Sequence, residues 1–250
     1  ASMCYILKSI LNQAGYKTNL YTSPHLLSYT ERYVFEDKEI NEEDLKELLT
    51  DVEKTLGDDN ATLFEILTCA FLKHAESFKD NVNIIEAGLF HQFDSTNVFK
   101  ENLMTLIGVI HNDHFQWLEN KSIEGVIYEK TAKLLNSNIF INKQVNNEIR
   151  DKIEKSLEKN ESNKYFFGKD FNIAKSENGF IQYQDGLGEL VLPEPSILGD
   201  HQLYNISTSI AASRKIFNIK DEYIKKGIKN ILLKARLEEI KSGKLKDIAG

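Results

Sequence analysis

Apolar positions in the opening segment fall three and four residues apart. Met3, Ile6, Leu7, Ile10, Leu11 and Ala14 form one stripe that stops at Gly15, which predicts an amphipathic helix packed on a sheet. Residues 18–21 then read as a short strand, ended by Thr22-Ser23-Pro24-His25, where Pro24 forces an extended or turning backbone. Asn41 with Asp44 predicts the cap of a helix carrying Leu45, Leu48, Leu49, Val52 and Leu56, closed by Gly57. A further helix over 63–77 presents Phe64, Leu67, Phe71, Leu72 and Ala75. Two buried strands follow, at 82–85 and 103–110, then a helix at 123–135, a strand at 139–141, and a helix carrying Val145, Ile149, Ile153 and Leu157. Such alternation predicts an α/β fold, a mainly parallel sheet flanked by helices and joined by right-handed crossovers.

The pattern changes after residue 160. Short strands at 165–167, 171–174, 179–183 and 189–192, separated by Gly and polar turns, predict a small antiparallel addition. A long helix over 202–217, a shorter one ending near residue 233, and two strand-like pieces at 237–240 and 245–248 complete the chain. The opening helix enters without the strand that would normally precede it.

With 250 residues the chain can bury a substantial core as one large domain or two small ones. A net charge of -7 argues against a polyanion-binding surface, so nucleic acid is not an expected partner. Cys4 and Cys69, placed on apolar helix faces, read as reduced thiols. No apolar run approaches the length of a membrane span and no signal-peptide pattern occurs, which points to a cytoplasmic protein without a membrane partner.

The candidate chemistry lies at strand ends. Glu86 follows the strand at 82–85, and His114 belongs to the polar cluster after the strand at 103–110. A carboxylate and an imidazole leaving one sheet edge suit a divalent metal beside a phosphate. Alone, Glu86 would read equally well as a helix-capping acid, and Lys130, near Ile127 and Thr131, as a lysine lying along an apolar face. His91 and His111 read as surface residues.

Taken together, Tyr21-Thr22-Ser23-Pro24-His25-Leu26, Glu31-Arg32, Thr62-Leu63-Phe64-Glu65, Glu86-Ala87-Gly88-Leu89, Asp94-Ser95-Thr96-Asn97, Asp113-His114, Glu129-Lys130, Gly199-Asp200-His201-Gln202-Leu203-Tyr204-Asn205 and Arg236-Leu237-Glu238 resemble the bacterial folylpolyglutamate synthase and dihydrofolate synthase family. These are ATP-dependent amide ligases of the Mur ligase type. The resemblance implies a P-loop NTPase-like central domain over residues 1–235 that lacks its P-loop strand. Residues 236–250 would begin the connection to an absent C-terminal domain. It implies ATP and magnesium as cofactor and co-substrate, a folate or dihydropteroate and L-glutamate as substrates, and a monomer.

By the same resemblance Ser2, Glu86 and His114 would hold magnesium, with Lys130, carbamylated, on a second ion. His114 and Lys130 would be the catalytic pair. Ser2, Asn205, Arg236 and Asp247 would contact nucleotide, while Thr22, Ser23, Pro24, His25, Thr62, Phe64, Asp94 and Ser95 would hold the pterin substrate. Where the family reads Gly-Leu-Gly-Gly-Arg, this chain has Gly88-Leu89-Phe90-His91-Gln92, so two glycines and an arginine are replaced. With the Gly-rich loop before Ser2 and the domain after Gly250 also missing, the chain is expected to bind nucleotide poorly and not to turn over. Two other readings stay open: an inactive remnant that keeps the fold, and a related ligase for another substrate.

Overall fold

The computed structural model describes residues 1–234. The strand-like pieces at 237–240 and 245–248, together with Arg236 and Asp247, lie outside the described residues. The opening stripe forms α1 (Ser2–Gln13), whose Ile6, Leu7, Ile10 and Leu11 are buried. Each such side chain contributes about 1.5–3 kcal/mol on removal from water. Gly15 stops the chain's right-handed course at φ 89°. The next helices are α2 (Glu42–Leu56), where the Asn41 side chain accepts from the Asp44 amide, and α3 (Leu63–Ala75), which opens on a reciprocal capping box between Thr62 and Glu65.

The strands β1 (Thr18–Tyr21), β2 (Tyr33–Phe35), β3 (Lys38–Glu39) and β4 (Val82–Ile85) form one sheet in the order β3-β2-β1-β4. Here β1 and β4 are parallel, with Tyr21 opposite Ile85. The hairpin of β2 and β3 is absent from the sequence-based expectation. Its turn residues Glu36 and Asp37 take φ 47° and 68°, the left-handed pair that a tight hairpin needs, without the Asn-Gly that usually announces it.

A second sheet, entirely parallel, contains β5 (Thr105–Ile107), β6 (Asn138–Ile141) and β7 (Asn163–Phe166). This corrects one expectation: the strand anticipated at 165–167 belongs to the parallel sheet and not to the antiparallel addition. The reason lies in α5 (Asn147–Ser156), a crossover helix that returns the chain beside β6 in the same direction. The antiparallel sheet consists of β8 (Phe171–Lys175), β9 (Ile181–Asp185) and β10 (Gly188–Leu192). The helix α4 (Ile123–Thr131) stops four residues earlier than the pattern predicts, before Lys133 at φ 59°. The long helix is α6 (Asp200–Phe217), and α7 (Asp221–Lys229) follows.

Alternation along the strands divides the core. Tyr21, Tyr33 and Phe35 face α2 and α3, whereas Leu20 and Ile84 face α1, α6 and α7. In the second sheet Ile139 and Ile141 point to α4 and α5, while Phe140 joins the α1 and α6 side. Helices therefore cover both faces. Cys4 packs against the core, its thiol pushed up to about 11 by burial, but Cys69 is exposed, contrary to its expected apolar placement. Both thiols are free. Among the described residues no helix is long and apolar enough to cross a membrane.

Candidate functional site

Glu86 sits where two parallel strands end, but β4 and β5 belong to different sheets and β5 stops at Ile107, so Glu86 and His114 do not leave one sheet edge as expected. The backbone pairing of β1 and β4 runs one residue past the strands, because the Glu86 amide donates to the Tyr21 carbonyl at 2.9 Å. That bond fixes Glu86 at the carboxyl edge of the sheet. One carboxylate oxygen accepts from the Ser23 amide at 3.0 Å and the other pairs with the amino group of Ala1, immediately before α1. Glu86, Ser23 and Ser2 are thereby drawn around one helix end, where backbone amides point outward and the helix dipole favours anions.

The segment after β1 is held by its own side chains. Glu31 accepts from the amides of Leu26, Leu27 and Ser28 at 2.7, 2.9 and 3.1 Å. Those three donors keep its carboxyl below the ordinary glutamate value. His25 accepts through Nδ1 from Arg32 Nε at 3.0 Å, and its ring lies 4.2 Å from that of Tyr29. Thr22 is buried, Ser23 and His25 are half-buried, and Pro24 is exposed. The residues expected on the substrate thus form a shaped loop.

A second organised loop follows Glu86. Asp94 accepts from the amides of Gly88, Leu89 and Thr96 at 3.0, 2.8 and 3.0 Å, and from the Thr96 hydroxyl. Ser95 shares a hydrogen bond with Thr68 at 2.9 Å, which ties the loop to α3. Phe64, from the first turn of α3, stacks on Tyr21 at 6.1 Å and lies against Gly88. In this arrangement Asp94, Ser95, Thr62 and Phe64 shape the loop and cap the helix.

Lys130 and His114 meet at a third point, the ring of Phe90. Lys130 Nζ stands 5.8 Å from the ring centroid, and the His114 imidazole lies edge to face at 6.0 Å. Asp113 is 3.3 Å from His114 Nε2. Burial lowers the Lys130 pKa, against the opposing pull of Asp113. Phe90 has φ 57°, and the adjacent His91 Nε2 and Gln92 Oε1 are buried without a partner among the described residues. His91 is therefore half-buried and not the surface residue expected, whereas His111 is exposed.

The last cluster was only partly legible. Asn205 on α6 donates to Gln202 Oε1 at 2.9 Å and accepts from Asn142 Nδ2 at 2.8 Å, while Gln202 Nε2 reaches Ser2 Oγ at 3.4 Å. Beside it, Lys143 Nζ donates to the Tyr204 hydroxyl at 2.7 Å. Asn142 and Lys143 lie outside the motifs read from the sequence, while Gln202 and Tyr204 belong to the 199–205 motif without a role of their own. Asn142 follows β6 as Glu86 follows β4, so the strand-end argument applied to every strand would have found it.

As donors, the Glu86 carboxylate and Ser2 hydroxyl are hard oxygens of the kind magnesium takes. Among the described residues no group of three or more His, Cys, Asp or Glu side chains is placed to hold a metal ion. Any ion at Glu86 would therefore draw its remaining ligands from phosphate and water, as magnesium commonly does.

Known proteins share this fold. No protein-family model matches the chain. The chain is 28% identical over 251 residues to the dihydrofolate synthase/folylpolyglutamate synthase of Bacillus subtilis, a match covering 93% of this chain and 57% of the relative. It is 36% identical over 115 residues to the protein of the same name from Escherichia coli, covering 46% of this chain and 27% of that one. A solved structure of E. coli FolC in complex with ADP superposes with a TM-score of 0.85 at 26% identity, covering 95% of this chain and 56% of the other. The α/β fold expected from the sequence is therefore that of the folate-synthase structures. The chain spans a little over half the length of the Bacillus relative.

Proposed function

We propose that this chain acts in an ATP-dependent ligase that joins L-glutamate to the carboxylate of a folate or dihydropteroate. A substrate carboxylate oxygen would attack the γ-phosphorus of ATP, releasing ADP and leaving an acyl phosphate. The glutamate amine would then attack the acyl carbon, lose a proton and expel phosphate as the amide forms. The observation that carries this reading is Glu86, fixed at the carboxyl edge of β1 and β4, beside the first turn of α1 and in contact with Ser23. Solved relatives described as complexes with AMPPCP and folate, and with DHPP and ADP, support it.

Ser2 and Glu86 would hold magnesium, which when bound neutralises charge on phosphate oxygens. Asn205, steadied by Asn142 and Gln202, is placed to meet the nucleotide; Arg236 and Asp247 are assigned to it by resemblance alone. Thr22, Ser23, Pro24 and His25 form the wall against which a flat aromatic substrate would lie. Asp94, Ser95, Thr62 and Phe64 keep that wall in shape. We further assign the protein to the cytoplasm, where its two free thiols stay reduced, and expect a monomer.

The test is a titration of the 250-residue chain with ATP, with and without magnesium, beside an assay of ATP-dependent glutamate addition to dihydropteroate and to a reduced folate. Weak ATP binding that depends on magnesium and disappears in Glu86→Ala, with the fold intact by circular dichroism and little or no turnover by this chain alone, supports the reading. ATP binding indifferent to both magnesium and Glu86 would overturn it.

A further inference from the structure

We infer that Lys130 of this chain stays an unmodified cation capped by the ring of Phe90 and does not join His114 on a metal ion. The inference bears on the site proposed above, and it comes from a disagreement between that site's expected second ion and the side chains present.

Three observations carry it. First, Lys130 and His114 end against the same phenyl ring, at 5.8 and 6.0 Å from its centroid. Ligand atoms sharing one ion sit about 2 Å from it, so both must converge on a polar space. Here each side chain ends against a hydrocarbon that offers no ligand atom. Phe90 is no loose occupant, because it packs against the core cluster of Ile107, Val126, Ile127 and Ile141.

Second, the charge preference of the ring is that of a cation site. The face of a phenyl ring is electronegative and attracts an ammonium. A carbamate on Lys130 would turn that attraction into repulsion. It would also set a second anion near Asp113, whose carboxylate already acts on Lys130 and contacts His114. The ring face and Asp113 both favour the ammonium, against the burial that disfavours its charge.

Third, the ring is held there at a local cost. Phe90 occupies the left-handed region at φ 57°, which is strained for an L-residue with a bulky side chain. Its neighbours leave His91 Nε2 and Gln92 Oε1 buried without partners among the described residues. A glycine here would satisfy the backbone without strain and vacate the space.

The experiment is carbon NMR of the full 250-residue chain in 13C-bicarbonate at pH 8, read without metal and so independently of the Glu86 reading, followed by a count of bound Mn2+. The unsubstituted chain is expected to show no lysine carbamate resonance. Phe90→Gly, or Phe90→Ala should the glycine variant fail to fold, is expected to gain that resonance. It should also bind one Mn2+ more than the unsubstituted chain, and both gains should vanish when Lys130→Arg is added. A carbamate resonance in the unsubstituted chain that Lys130→Arg removes overturns the inference. So does a folded Phe90 variant that gains neither carbamate nor ion.

Discussion

Phe64 rests directly on Gly88: a Cβ added at Gly88 would lie 2.3 Å from Phe64 Cε1 and 2.5 Å from Cζ. The contact joins the first turn of α3 to the loop that leaves β4. Gly88→Ala is expected to destabilise the chain by about 1–3 kcal/mol, as overpacking does. Because the obstacle is a side chain, the cost should fall below about half that in a Phe64→Leu background. Urea unfolding of the four chains of this cycle checks it. Equal costs in both backgrounds would show that the backbone, not the ring, excludes the methyl.

Asp94 organises the same loop from the other side. Its carboxylate accepts from three amides and one hydroxyl, and hydrogen bonds to a charged group contribute about 1.5–3 kcal/mol each. Their effects overlap within one loop. Asp94→Ala is expected to cost about 2–4 kcal/mol in urea unfolding, and Asp94→Asn clearly less, since one amide oxygen can still accept. Amide hydrogen exchange should accelerate at Gly88, Leu89 and Thr96 in the alanine variant. Unchanged exchange there would mean that the loop holds its shape without the carboxylate.

A third test concerns the joint between α1 and α7. A Cβ at Gly227 would sit 2.7 Å from Ile10 Cα, and Ser9 Oγ donates to the Gly227 carbonyl at 2.7 Å. Backbone cannot rotate aside as a ring can. Gly227→Ala is therefore expected to cost at least as much as Gly88→Ala, with no relief in an Ile10→Ala background, which removes the Cγ1 that would lie 2.9 Å away. Relief by that change would place the clash at the Ile10 side chain.

What could be read in advance follows from locality. The α1 stripe, the Asn41 cap and the helix at Leu63 are written within one or two turns of sequence, and the structure has them at those positions. Glu86 was legible because a strand's last residue is fixed by the strand. The β2–β3 hairpin was not, because Glu36 and Asp37 adopt left-handed turns through tertiary support and not through their own preference. The direction of β7 depended on where α5 delivered the chain. Phe90 was visible as bulk replacing glycine, yet its meeting with Lys130 and His114 joins three segments that no local pattern relates.

His91 makes stability depend on acidity. Burial lowers its pKa below the ordinary 6.5, with Asp94 pulling the other way, and Nε2 has no partner among the described residues. Well above pH 6.5 the ring is neutral in folded and unfolded chains alike, so its titration contributes little there. As pH falls below 6.5 the unfolded chain takes up the proton first, and stability declines until the folded ring is protonated too. His91→Leu removes both the titration and the orphaned nitrogen. It is expected to be more stable than the parent at pH 7 by about 1 kcal/mol, the scale of an unsatisfied buried polar atom. Its advantage should widen between pH 6.5 and 5. His74, whose pKa burial also lowers, titrates in both chains and cancels from the difference. Urea unfolding of the two chains at pH 7, 6 and 5 measures that difference directly. A gap that stays constant or narrows on acidification would mean that His91 protonates as readily in the folded chain as in the unfolded one, and the loop around Phe90 would then have to be open to water.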